Sequence, residues 1–334
     1  MNCKPSRLRK IQQRYCSPLR KTRANLFLMP QRLNFRIDAR EVFMYAAGLA
    51  FLTLAKTKNV LRGYSTPKPF PIADIERCIA YDLKVVDEWL VHLAAYSGNT
   101  LTVRGKNVLE LGPGSDLGVG LYLLAKGAAA YHACDVHDLT QSAPASFYSA
   151  LFERILKIHT ECDEKFLRSQ LDGARPSAAS KLRVVVRADF DLLAAFGKES
   201  IDLVFSQAAF EHFDDIERTV EQLSAVCKPG ATIVAEIDLK THSRWINAKD
   251  PNNIYRYADW IYRTFYFRGI PNRVRPYQYK QAFERHGWTR VSITPIEQTS
   301  PSRRGAVYVA DRFRGAENEM NSLSIILCAQ KVQA

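Results

Sequence analysis

The sequence predicts an α/β fold: a mostly parallel sheet with helices on both faces. Three observations carry that prediction. Short apolar or β-branched runs recur at 108–111, 129–136, 182–186, 201–205 and 232–237, each short enough to be a buried strand. The first of them runs into Gly112-Pro113-Gly114 and then a helical stretch, 117–126, closed by Gly127. Longer stretches with helical spacing then alternate with the strands, at 147–171, after Glu217 and at 276–286.

Ahead of this alternation stand two regions of different character. Residues 1–40 hold eleven Lys/Arg against the single acid Asp38, and read as a disordered basic tail. A solvated tail, an electrostatic tether to membrane or nucleic acid, and an organelle-targeting segment compete for it, as does a native start at Met29. Residues 41–104 read as an N-terminal helical region. Within it, 42–55 is an uncharged stretch of fourteen residues, short of the roughly 20 that span a bilayer. It is expected to pack as a helix on the domain that follows, with peripheral membrane contact through residues 1–60 as the competing reading. A proline-punctuated linker, 62–71, leads to a helix over 74–96 with apolar residues at Ile75, Ile79, Leu83, Val86, Leu90 and Leu93. Tyr64 and Tyr81 are candidates to close over a ligand.

The remainder, 105–334, reads as one catalytic domain. A helix begins behind Asp214 and Glu217, read as its capping box, and ends near Lys228-Pro-Gly230. Residues 243–275 are crowded with Trp, Tyr, Phe and Arg and read as a substrate-covering insert. Strands at 289–296 and 322–330 complete the pattern.

Bulk composition narrows the function. The formal charge of +13 is concentrated in 1–40 and in 255–314, where twelve Lys/Arg face four acids, so the remainder is slightly acidic. A nucleic-acid surface spread over the whole protein is not what this describes, and nucleic acid is the less favoured partner. Seven cysteines are scattered without a CxxC pair. They argue against a disulfide framework and a structural zinc site, and suit a cytoplasmic protein, membrane association being the alternative. No metal site is expected.

The discriminating residue is Glu110, two positions before Gly112. Bare backbone at a helix N-terminus suits an anion, yet an acid at this strand end would repel a pyrophosphate and favours a cationic group instead. Asp135, about 20 residues beyond the glycines, stands where a ribose diol would be held.

Glu110-Leu-Gly-Pro-Gly114 with Asp135 resembles motifs I and II of the class I S-adenosylmethionine (SAM)-dependent methyltransferases. The resemblance extends through 201–206, Phe210-Glu-His212 and 227–230, and is to the small-molecule, type 11-like members. It implies a Rossmann-like seven-stranded sheet with the last strand antiparallel, and SAM as cofactor. By the same resemblance Glu110, Gly112, Pro113, Gly114, Asp135 and Ser206 contact SAM, and Asp189 (with Asp191 as fallback) accepts from the adenine amino group. One departure is Asp116, where the family often has a third glycine.

Methyl transfer to a hydroxyl or an acidic carbon needs a base. His212 is the first candidate and His242 the second, oriented by Asp238 or Glu211. Arg256, Arg263, Arg268, Arg273 and Arg275 among aromatic residues point to a small-molecule acceptor that is anionic, glycosyl or lipid-linked. Glu211, Asp238, Arg263 and Tyr266 are its candidate contacts. An RNA methyltransferase and a non-catalytic SAM-binding scaffold are the alternatives.

Overall fold

The computed structural model describes residues 38–63, 71–174, 180–299 and 308–333. The tail 1–37, Tyr64 and most of the linker 62–71 lie outside the described residues, as does the middle of the loop 173–180. The first helix, α1 (Ala39–Arg62), starts inside the expected tail because the Asp38 carboxylate caps it, accepting from the Arg40 N–H at 3.0 Å. It runs past Ala55 to Gly63, whose backbone closes it. No helix among the described residues is long and apolar enough to cross a membrane.

In chain order there follow α2 (Ile75–Ser97), β1 (Asn107–Leu111), α3 (Gly118–Ala125), β2 (Ala130–Asp135), α4 (Ala145–Ile158), α5 (Glu164–Asp172) and β3 (Leu182–Val186). Next come α6 (Leu192–Phe196), β4 (Ile201–Gln207), α7 (Ile216–Val226), β5 (Cys227–Asp238), α8 (Arg244–Asn247) and α9 (Asp259–Thr264). The chain closes with α10 (Pro276–Arg285), β6 (Trp288–Gln298) and β7 (Ser322–Lys331).

Three expectations need correction. The helix with an extension expected over 147–171 is two separate helices, because Asp163 caps a fresh start by accepting from the Lys165 N–H. The cap of α7 is Asp215, which accepts from Arg218 N–H at 3.0 Å, rather than Asp214. Glu217 is no capping-box partner; it pairs with Arg285 and His286. Finally, α7 stops at Val226 because Cys227 already pairs with Ile201 in the sheet, the strand slipping register before Leu203 pairs with Thr232.

The seven strands lie in the order β3-β2-β1-β4-β5-β7-β6, all parallel except β7, which runs antiparallel to both neighbours. Successive strands build outward from β1 to β3; the chain then returns to place β4 on the other side of β1. The C-terminal ends of β1 and β4 therefore border the crevice at which open parallel sheets bind ligands. Side-chain alternation splits the core. Val108, Tyr131, Leu203 and Phe205 face α2–α5, while Leu109, Leu111, Val204 and Ile233 face α7 and α10. A third, smaller core joins Ile254, Tyr255, Tyr257 and Tyr262 of the expected insert to Val309, Phe313 and Met320, with Tyr45, Leu49 and Leu52 of α1 packed on it. The insert thus shares an interior with residues 309–320 and α1.

Candidate active site

A cavity of about 900 Å³ opens over the C-terminal ends of β1, β2, β4 and β5, at the upper end of the range of ligand pockets. Gly48, Phe51 and Leu52 of α1 and the stretch Phe267–Pro271 of the insert wall it.

One end of this cavity is built by the first glycine turn. Gly112 and Gly114 have φ of 74° and 76°, a region in which a Cβ is strained. A Cβ on Gly112 would also stand 2.8 Å from that of Ala209. The turn is pinned to the neighbouring strand by Gly112 N–H donating to the Cys134 carbonyl at 3.0 Å. Glu110 is almost wholly buried yet lines the cavity, and accepts a short hydrogen bond from the Tyr131 hydroxyl. Burial and then that carboxylate hold the Tyr131 phenol well above its ordinary pKa, so it stays a donor. Pro113 also lines the cavity.

Asp135 ends β2, lines the cavity, and accepts from His137 N–H at 2.9 Å; burial raises its pKa. Asp189 lines the same cavity from beyond β3. Its carboxylate is exposed and held by the Arg187 guanidinium at 2.9 and 2.7 Å, which brings its pKa down to about 2. The fallback Asp191 is occupied elsewhere, capping α6 through Ala194 N–H. Asp116, at the third-glycine position, is buried and accepts at 3.0 Å from the N–H of Gly118, the first residue of α3. Ser206 is fully buried and lies behind the cavity lining, its hydroxyl donating to the Leu111 carbonyl at 3.2 Å across β1 and β4.

The opposite end is made where β4 and β5 stop. Gln207 and Glu236 are paired, and Ala208 N–H donates to the Glu236 carbonyl at 3.0 Å, so the two loops leave the sheet side by side. A 3-10 turn, Phe210–His212, follows β4. The insert clasps it: Asn272 donates from Nδ2 to the Phe210 and Phe213 carbonyls at 2.8 and 3.0 Å, and from its main chain to Glu211 O at 2.7 Å. His212 Nδ1 lies 2.6 Å from the Gly269 carbonyl, which makes that nitrogen the protonated one and leaves Nε2 with its lone pair.

The His212 and His242 rings stand 4.8 Å apart, centroid to centroid, at 62°. Burial, more than any charge, lowers both pKa values to about 4. His242 is reachable from the cavity while surrounded by protein, so solvent access and desolvation coexist there. Glu211 is 3% exposed, and neither oxygen makes a well-formed hydrogen bond. Burial first and the Asp238 charge second push its pKa well up, the nearby main-chain N–H groups of Glu211 and Asp238 tempering this. Asp238 is raised by burial and opposed by Lys240.

The structure therefore brings Glu110, Gly112, Pro113, Gly114, Asp135, Asp189, Glu211, His212, Asp238 and His242 to one cavity. It does not bring Arg263 or Tyr266 into the lining; half-exposed Tyr266 donates to Asp214 at 2.8 Å instead. Three of the five arginines read as anion contacts are internal struts. Arg256 pairs with Glu41 and Asp250, Arg273 with Asp259, and Arg275 donates to the carbonyls of Asn318, Glu319 and Ser322. Arg268 does line the cavity, donating to the Ala188 carbonyl. Tyr81 packs against the core and also lines the cavity. The α1 wall, Tyr131, Asn272 and Gln207 were not anticipated. Gln207 Oε1 accepts from Trp89 Nε1 at 3.1 Å, tying α2 to the cavity floor.

The family model described as "Methyltransferase domain" matches residues 84–293. That is more than half of the chain, which belongs to this family: a class I methyltransferase, an enzyme that uses SAM. Among solved structures it is similar to the CurJ carbon methyltransferase, with 17% identity over 88% of this chain and 69% of that one, TM-score 0.44. It is also similar to phosphoethanolamine N-methyltransferase 2 of Haemonchus contortus, solved with SAM, at 13% identity over 74% and 53%, TM-score 0.39. A third is a SAM-dependent methyltransferase of Mesorhizobium loti, 14% identical over 71% and 96%, TM-score 0.38. This chain spans about half of the Haemonchus enzyme. No curated protein matches.

Proposed function

We propose that this enzyme transfers the methyl group of SAM to a small-molecule acceptor bound at the β4/β5 end of the cavity, with the cofactor seated at the β1/β2 end. The observation that carries this reading is the division of one cavity into two chemically distinct ends. At the first, Glu110, Asp135 and Asp189 present three carboxylates at or beyond the ends of three adjacent strands, around a glycine turn of bare backbone. This set fits SAM and fits a pyrophosphate ligand poorly, because phosphate would meet acids rather than donors. Glu110, fixed by Tyr131, takes the ammonium of the cofactor's amino acid. Asp135 takes the ribose hydroxyls, and Asp189 the adenine amino group. Ser206 acts behind them, holding the ends of β1 and β4 together.

Bound there, SAM supplies an electrophilic methyl carbon on a sulfonium. The protein's part is alignment and exclusion of water, which the walls from α1 and the insert serve. At the second end, His212 and His242 serve the acceptor, easing loss of its proton, and Glu211 and Asp238 make that end acidic. With Arg256, Arg273 and Arg275 committed internally, an anionic acceptor would have to rely on Arg268 and other cavity-edge cations such as Arg218 and Arg244.

The test is transfer of labelled methyl from SAM into small-molecule extracts, with S-adenosylhomocysteine (SAH) binding measured alongside. His212→Ala is expected to lower turnover about 10²-fold or more while leaving SAH affinity in place. An RNase-sensitive product, or full turnover in this variant, would overturn the assignment.

A further inference from the structure

We infer that Glu211, His212 and His242 form a binding site for a divalent first-row transition cation at the acceptor end of the cavity. The inference rests on the reading above in placing the acceptor there, and adds what holds it: an acceptor that offers an oxygen donor to the cation.

The three residues each offer one ligand atom, and these atoms lie within 4.8 Å of one another. Bonds of roughly 2.0–2.2 Å to one ion would set such atoms roughly 3–3.5 Å apart, so side-chain shifts of about an ångström close the site. Independent of that spacing is the state of Glu211. Both of its oxygens are buried and make no well-formed hydrogen bond, with only a looser approach of the Glu211 and Asp238 main-chain N–H groups, and among the described residues it has no ion pair. A buried carboxylate so placed is costly unless it is protonated or meets a cation, and the two imidazoles beside it are the partners a cation would share. The arrangement of His212 agrees. Its Nδ1 is anchored to the Gly269 carbonyl at 2.6 Å, the support that fixes ring and tautomer in metal-ligating histidines and leaves Nε2 to bind. The nearby Lys240 is turned to Asp238 and Glu297.

Two imidazoles and one carboxylate favour zinc, manganese, iron, cobalt or nickel over calcium or magnesium, and the absence of a thiolate disfavours copper(I). Three protein ligands leave coordination positions open toward the cavity, where an acceptor hydroxyl, carbonyl or carboxylate oxygen can bind. The scattered cysteines, the feature from which metal binding was judged in the sequence, have no part in this site.

The experiment uses the full chain, stripped with a chelator and titrated with Co²⁺ and Zn²⁺. SAH calorimetry on the same preparation reports folding and cofactor binding. One equivalent of Co²⁺ is expected, with visible absorption bands of a nitrogen- and oxygen-ligated ion. His242→Ala and Glu211→Gln each remove a direct ligand and are expected to weaken the ion by at least the roughly 10–100-fold that loss of an outer-shell partner costs, while SAH affinity stays within about twofold. The proposal is overturned if the SAH-competent protein takes up no ion. It is equally overturned if uptake survives in the His212→Ala/His242→Ala double variant. Loss of SAH binding in the unmodified chain would sink the functional reading instead, so the two failures are distinguishable.

Discussion

Replacing Arg256 by Ala is expected to open the cavity wall. Arg256 is the cation between two acids from different parts of the chain: its guanidinium lies 2.8 Å from Glu41 of α1 and 2.5 Å from Asp250 of the insert. All three side chains are at most 8% exposed. Removing the one cation leaves two buried carboxylates facing each other, and breaking such a pair costs about 3–5 kcal/mol. The Asn253 amide, which reaches both Met44 O and Asp250, cannot neutralise that charge. α1 also packs on the third core through Tyr45, Leu49 and Leu52 and stacks Phe51 on Trp245, and it is tied by Tyr257 OH to Tyr45 O and Lys56 to Thr264 O. That loss is therefore expected to loosen its N-terminal half rather than release the whole helix. Arg256→Lys keeps the charge but cannot address both acids with one fork, so it should lose a part only. Denaturant unfolding measures the stability change, limited proteolysis the loosening of α1, and SAH calorimetry the effect on the cavity. An Ala variant within about 1 kcal/mol of wild type, with α1 equally protected, refutes the reasoning.

Three further outcomes follow from the site. Gly112→Ala meets a positive φ and the Ala209 side chain at once; it should lose about 1–3 kcal/mol of stability and bind SAH more weakly, and unchanged SAH titrations would contradict the close-packed turn. Asn272→Ala removes two donors from the carbonyls behind His212, so turnover should fall more than SAH affinity; equal losses would mean the clasp serves the cofactor end. Asp135 has a raised pKa because its charge is buried. A raised carboxylate contributes stability at low pH that is lost as pH rises, so Asp135→Asn should stabilise the free protein at neutral pH while binding SAH worse. In wild type, SAH affinity should decline on acidification as Asp135 protonates, whereas Asp189, at about 2, stays charged; a pH-independent affinity would exclude Asp135 as the ribose acceptor.

Much of this was legible because strands announce themselves locally. Val108-Leu-Glu-Leu111 and the glycines after it are set by burial and by φ angles only glycine adopts readily, and both leave marks in sequence. The pairing of His212 with His242 was within reach only once β4 and β5 were known to be neighbours, since 30 residues separate them. What failed did so for physical reasons. The cap of α7 was misplaced because Asp214 and Asp215 are equally good caps, and only the actual turn chooses. Arginines among aromatic residues look alike whether they await a ligand or stack inside a small core, as Arg273 does over Tyr262 at 4.0 Å. The role of α1 as a cavity wall had one faint signal, Gly48 in an apolar helix, where a Cβ would strike Asn253 and Tyr257.

The measurement that bears most directly on the cavity's first end is SAH calorimetry on wild type, Glu110→Gln and Asp135→Asn. Charged hydrogen bonds of about 1.5–3 kcal/mol predict affinity losses of roughly 10- to 150-fold in each variant. Wild-type affinity in both variants, or a wild-type chain that binds neither SAM nor SAH, would contradict the account.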